Sequence, residues 1–150
     1  TGSGVGALAA ARRGFSVVAV DVEPTAVRCA SANVALNGVS SRVEVRQGDL
    51  FAPVADRRFD LITFNPPFYS GRPSRSKGVT WRSPDALSRF AGELADHLRP
   101  GGRAIVVFSS DGDAAAFREA FDDTAFEVDV IAERRLGNEV MSAYRIEPAS

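Results

Sequence analysis

The chain has a single cysteine, Cys29, and a single histidine, His97, so neither an internal disulfide nor a metal site built from cysteine and histidine is available to it. Charge of one sign is also missing. Lys and Arg number 18 against 19 Asp and Glu, a net charge of −1, which removes the global basic field of a protein that coats nucleic acid. No apolar run reaches the eighteen or so residues needed to cross a bilayer as a helix. There is no internal repeat and no low-complexity stretch. At 150 residues, 45% hydrophobic and 25% charged, the composition is that of one ordinary globular domain, and residues 1–150 are expected to form it. The absence of disulfides and membrane segments leads to an expected cytoplasmic location.

What is present is a regular alternation. Runs of strand length at Phe15–Val22, Arg42–Arg46, Phe59–Phe64, Arg103–Phe108, Phe126–Ala132 and Met141–Ile146 are separated by helical patterns at Val5–Arg13, Pro24–Asn37, Pro84–Leu98 and Ala114–Asp122. Several runs are continuously apolar, the mark of strands covered on both faces. The pattern predicts an α/β domain with a mostly parallel sheet and helices on both faces. Only Glu133–Val140 joins the last two runs, too short for a parallel crossover, so an antiparallel C-terminal hairpin is expected. Pro24 and Pro84 suit first helical turns, Ser83 can cap the helix after it, and Gly14, Gly38 and Pro100-Gly101-Gly102 supply stops.

Four segments carry chemistry. Thr1-Gly2-Ser3-Gly4-Val5-Gly6-Ala7 opens the chain, a glycine turn leading into a helix, where backbone can approach a ligand and helix amides can face it. Such a turn ordinarily follows a strand, and that strand is expected to be missing before Thr1. Gly2, Gly4 and Ala7 also satisfy the dinucleotide fingerprint, so the turn alone fits NAD as well as an adenosyl cofactor. Asp21, with Val22 after it, closes a strand where a carboxylate can accept from a ribose diol. Asp49, in Gly48-Asp49-Leu50-Phe51, is a second acid after a strand, suited to an adenine amino group with Leu50 and Phe51 covering the ring.

Asn65-Pro66-Pro67-Phe68 separates the cofactors. An amide or aromatic amine nitrogen is a poor nucleophile because its lone pair is delocalised. A site that methylates it must hold its N–H groups with acceptors; the Asn65 oxygen and the Pro66 carbonyl can do so on a stiff turn, and Phe68 can stack on the planar group. A dehydrogenase needs no such turn.

These motifs together resemble those of Rossmann-like S-adenosylmethionine-dependent methyltransferases of the amino-methylating branch. Within it, the tail Ala132–Ser142 is similar to the short release-factor glutamine methyltransferases. The resemblance implies that Thr1, Gly2 and Gly4 contact the cofactor's amino-acid part, Asp21 and Val22 the ribose, Asp49 and Leu50 the adenine, and Asn65 the target nitrogen as well as the cofactor. It implies S-adenosyl-L-methionine as cofactor, no metal, and a protein glutamine, of release-factor type, as favoured substrate. A nucleic-acid base with an exocyclic amine presents the same planar NH₂ and stays open, as do an activator partner and a noncatalytic cofactor-binding domain. The chain departs from the commoner pattern in carrying Phe68 where tyrosine is usual.

Other residues read more plainly. His97, beside the stripe of Leu87, Phe90, Ala91, Leu94 and Leu98, is expected to be solvated, Cys29 to be a packed thiol, and Phe117 with Phe121 to be core. The stretch between Asp60 and Asp85 holds Arg72, Arg75, Lys77 and Arg82 with no acid, and a loop there is expected to border the substrate entrance.

Overall fold

The computed structural model describes residues 1–66, 85–122 and 124–149. Pro67, Phe68, the basic segment, Ser83 and Pro84 lie outside them. The chain divides into two compact units, Thr1–Asp56 and Arg57–Ser150.

In the first unit, helix α1 (Val5–Arg12) leads to strand β1 (Val17–Asp21), helix α2 (Pro24–Leu36) and strand β2 (Val43–Gln47), followed by a 3₁₀ turn at Ala52–Val54. The two strands pair in parallel from Val17 opposite Val43 to Asp21 opposite Gln47. Parallel pairing requires a crossover, which α2 supplies, and it sets the carboxyl ends of both strands side by side. Ala7 and Ala11 of α1, Ala19 of β1, Val34 of α2 and Val43 of β2 form the core. Small alanines let helix and strand backbones approach closely. Pro24 opens α2 as expected, and Gly14 and Gly38, with φ of 93° and 68°, follow the helix ends in the left-handed conformation. Cys29 is exposed rather than packed, because the buried face of α2 runs through Ala30 and Val34 instead.

In the second unit, β3 (Phe59–Phe64), α3 (Ala86–His97), β4 (Leu98–Ser109), α4 (Ala114–Asp122), β5 (Phe126–Leu136) and β6 (Glu139–Pro148) build a four-stranded sheet in the order β3-β4-β6-β5. The β3/β4 pair is parallel, whereas β4/β6 and β5/β6 are antiparallel. Phe64, Val106 and Tyr144 are cross-strand neighbours and so share a face. Phe64 stacks on Phe90 of α3 at 4.4 Å and Tyr144 meets Phe117 of α4 at 4.4 Å, so both helices cover that face. Phe117 and Phe121 are core, as their spacing predicts. Asp113 holds the start of α4, its carboxylate accepting from the amides of Ala115 and Ala116.

Three local readings change. His97 is 5% exposed, not solvated, and its Nδ1 lies 2.9 Å from the Arg57 carbonyl oxygen. A backbone carbonyl supplied from 40 residues away satisfies the ring, which no periodicity within the helix reveals. Pro100-Gly101-Gly102 does not separate α3 from a later strand: β4 begins at Leu98, and with Arg99 the three residues form a bulge between the pairs Phe59/Leu98 and Leu61/Arg103. The hairpin strands also run on past their apolar cores, leaving Gly137, with φ of 65°, and Asn138 as a two-residue turn.

The bulge yields a stability prediction. A Cβ on Gly102 would lie 2.8 Å from the Phe59 carbonyl oxygen and 2.9 Å from that of Arg99. Backbone on both sides cannot step aside cheaply, so Gly102→Ala should destabilise by about 1–3 kcal/mol, read from chemical denaturation. The exposed Gly92→Ala, with open space around its Cβ, should instead be neutral or stabilising.

Candidate active site

The glycine turn, Asp21 and Asp49, which the sequence suggests for the cofactor, gather at the carboxyl edge of the β1/β2 pair. Gly2 and Gly4 take φ of 57° and 80°, which folds Thr1-Gly2-Ser3-Gly4 into a tight turn closed by the Gly4 amide donating to the Thr1 carbonyl at 3.0 Å. Gly4 caps α1 and is buried against α2: a Cβ there would sit 3.1 Å from the Ala30 side chain. Two constraints, the left-handed backbone and the Ala30 contact, therefore demand glycine at this position.

Asp21 ends β1 and is 9% exposed. Its Oδ2 accepts from the Thr1 nitrogen at 2.6 Å and the Gly2 amide at 2.8 Å, and its Oδ1 from the Glu23 amide at 3.0 Å. Burial alone would raise its pKa. The bonds from the Thr1 nitrogen and from the Glu23 and Gly2 amides outweigh that and hold the carboxyl below its ordinary value of 3.8. A carboxylate offers about four acceptor positions; the three bonds leave one, on Oδ1. Val22 beside it is 54% exposed, and Glu23 is half-buried at the N-cap of α2.

Asp49 follows β2. The Gly48 amide donates to the Asp21 carbonyl at 2.9 Å, which carries the chain across the strand ends and leaves Asp49 exposed at the same edge as Asp21. Gly48 is needed there because a Cβ would run into the Pro53 ring. Leu50 is half-buried with φ of 44°, the one non-glycine left-handed residue among those described. Strain of this kind concentrates at ligand sites. Phe51 turns into the core at 6% exposed, so of the two apolar neighbours of Asp49 only Leu50 has open surface.

Sequence reasoning passed over Asn33. Its amide nitrogen donates to the Ser3 carbonyl at 2.9 Å, bracing the glycine turn from α2. An asparagine inside a helix, where its propensity is low, was the available signal.

In the second unit, Asn65 directly follows β3. It is exposed, while Pro66 behind it is buried, so the turn is anchored by its proline and presents its amide outward at the carboxyl edge of the sheet. Among the described residues, no group of three or more His, Cys, Asp or Glu is placed to hold a metal ion.

A mixed α/β architecture with a glycine turn, two strand-end acids and an Asn-Pro turn defines the class of nucleotide-type cofactor-binding α/β proteins that place their ligand at strand carboxyl ends. The chain belongs to the methyltransferase small domain family, whose model matches residues 1–135, a family of S-adenosylmethionine-dependent enzymes. It is 34% identical over 119 residues to a ribosomal protein uL3 glutamine methyltransferase of Bradyrhizobium diazoefficiens, covering 70% of this chain and 37% of that protein. It is 35% identical over 133 residues to a release factor glutamine methyltransferase of Cereibacter sphaeroides, covering 77% and 48%. Against a ribosomal RNA small subunit methyltransferase C of Alcanivorax borkumensis it is 32% identical over 132 residues, covering 88% and 36%. The chain thus spans between a third and a half of these relatives. Among solved structures, a ribosomal protein L11 methylase from Lactobacillus delbrueckii subsp. bulgaricus superposes with a TM-score of 0.69 at 24% identity, covering 99% of this chain and 66% of that one, and shares the fold.

Two outcomes follow from this geometry. Gly4→Val should abolish cofactor binding in calorimetry, because it opposes both the left-handed φ and the Ala30 contact. For Asp21 the native pKa lies below the unfolded value, so its contribution to stability is present above the ordinary value of 3.8 and lost as pH falls through the native pKa. Thermal unfolding followed from neutral pH into the acid range should therefore show an acid limb that is shallower in Asp21→Asn.

Proposed function

We propose that this chain is the catalytic domain of an S-adenosylmethionine-dependent N-methyltransferase whose acceptor is a planar amide or amino nitrogen, a protein glutamine first among them. The outward-facing Asn65, set on a buried Pro66 at a strand's carboxyl end, carries this reading. The bound cofactor supplies an electrophilic sulfonium methyl. The chain's own groups bind and aim. In this reading the Gly2–Gly4 turn receives the amino-acid part of the cofactor, Asp21 offers its remaining acceptor position to one ribose hydroxyl and Glu23 its carboxylate to the other, and Asp49 with Leu50 faces the adenine. The Asn65 side-chain oxygen and the Pro66 carbonyl accept from the two N–H groups of the target. The nitrogen lone pair is then directed at the methyl carbon, and as charge develops on nitrogen these acceptors bind its hydrogens more strongly. Phe68, which lies outside the described residues, is the side chain this reading assigns to the target plane.

Relatives named for glutamine methylation of ribosomal protein uL3 and of release factors support the protein acceptor. The RNA methyltransferase relative matches the larger share of this chain, 88%, and supports an exocyclic base amine as the second reading. Transfer of labelled methyl from the cofactor to a cell lysate, followed by separate protease and nuclease digestion, distinguishes them: label released as modified glutamine supports the first, label in nucleosides the second. Asn65→Ala should keep cofactor affinity within a few fold and lose about a hundredfold in kcat, the usual cost of one positioned transition-state acceptor. Normal turnover in that variant would remove Asn65 from the target-binding role.

A further inference from the structure

The strand β5 forms one edge of the four-stranded sheet, and its outer backbone edge has no partner among the described residues. It is open along nearly its whole length: Glu127 through Leu136 are all exposed. Among the described residues, four of the five large apolar side chains exposed in this unit, Val128, Val130, Ile131 and Leu136, lie on it. A long, open, apolar edge is a template for another strand, and monomeric proteins usually blunt it with charge. Here the charges do not form a block of one sign: Glu127 and Asp129 lie in its first half, and Glu133, Arg134 and Arg135 in its second.

The bulge at Ile131 decides which of these share a face. Asp129 sits opposite Arg145 and Arg134 opposite Met141, and those two β6 residues, an even number apart, point the same way. Asp129 and Arg134 therefore project from one face although they are five apart, an offset that an unbulged strand would not allow. By the same register Val128 and Arg135 share the other face, toward α4. An antiparallel copy of β5 reverses both direction and charge order. With the two-fold axis between Ile131 and Ala132, Asp129 of each copy falls opposite Arg134 of the other on the same face, Glu127 lies diagonal to that arginine, and no like charges meet directly. Arg135 falls opposite Val128, at the groove lined by Phe117, Phe121, Phe126 and Val128 with Asp122 and Arg118 both on its rim.

We propose that β5 is a homodimer interface, in which two copies of this chain pair β5 to β5 in antiparallel fashion, with Ile131 and Ala132 on the axis and Asp129, which already accepts from Arg145 of its own chain at 2.8 Å, also meeting Arg134 of the other copy. An edge-to-edge contact lies at the small end of specific interfaces, so the dimer is a weak one that forms with concentration in the micromolar range. The interface is independent of the methyl-transfer reading, since neither the cofactor turn nor Asn65 takes part in it.

Sedimentation velocity across a concentration series tests this on the full chain. The wild type should shift from monomer to dimer with rising concentration. Arg134→Glu should weaken dimerisation about tenfold or more, since it puts like charges together at two symmetric positions. Asp129→Lys should do the same, and mixing the two variants should restore association as a heterodimer, a result that loss of folding cannot mimic. Circular dichroism of each variant alone confirms that it folds. A wild type that stays monomeric throughout overturns the proposal, as does a dimer indifferent to Arg134→Glu or variants that fail to complement on mixing.

Discussion

Asp21 holds the glycine turn to the strand ends of the first unit. Its carboxylate, pulled toward the interior at the end of β1, is offset for lost hydration by three donors at 2.6 to 3.0 Å, two of them from the glycine turn itself. That arrangement fixes where Thr1 and Gly2 sit. Gly4 then has one place to go, in the left-handed conformation against Ala30, and α1 starts from it. Asn33 closes the arrangement from the far side by gripping the Ser3 carbonyl. A turn of small residues has little packing of its own, so this polar staple, rather than burial, gives it a single geometry.

Parallel pairing explains why the chemistry collects at strand ends. Because β1 and β2 run the same way, the residues after each must leave from the same edge, and Asp21 and Asp49 are brought together although 28 positions apart in the chain. The β3/β4 pair does the same for its own unit, presenting Asn65 at a carboxyl edge. Ser109 at the end of β4 bonds Glu139 and so ties the top of the hairpin to that same edge. Function is placed where backbone groups are free, and the strands behind serve as rigid supports.

The order of elements was legible because each strand is a short apolar run and each helix shows one apolar stripe, and those patterns depend only on neighbouring residues. The same holds for Gly4, Asp21, Asp49 and Asn65, whose spacing relative to strand ends is a local property. Boundaries shifted where tertiary pairing overrode local signals. Exposed, charged residues such as Arg134 and Arg135 joined β5 because β6 was there to pair with them, and Pro100-Gly101-Gly102 entered β4 because β3 offered a partner on either side of the bulge.

Alone, the sequence determined the alternation of strands and helices, the hairpin at its end and the residue types that gather at its strand ends, since composition, periodicity and turn chemistry all act over a few residues. The tertiary structure decided what is buried and what is engaged. It sank His97 beneath the Arg57 carbonyl, left Cys29 on the surface, turned Phe51 inward while Leu50 stayed partly open, and took three of the acceptor positions of Asp21. Each of those outcomes depends on an atom supplied from elsewhere in the fold or on which face of an element meets its neighbours, and neither is encoded in the residues on either side.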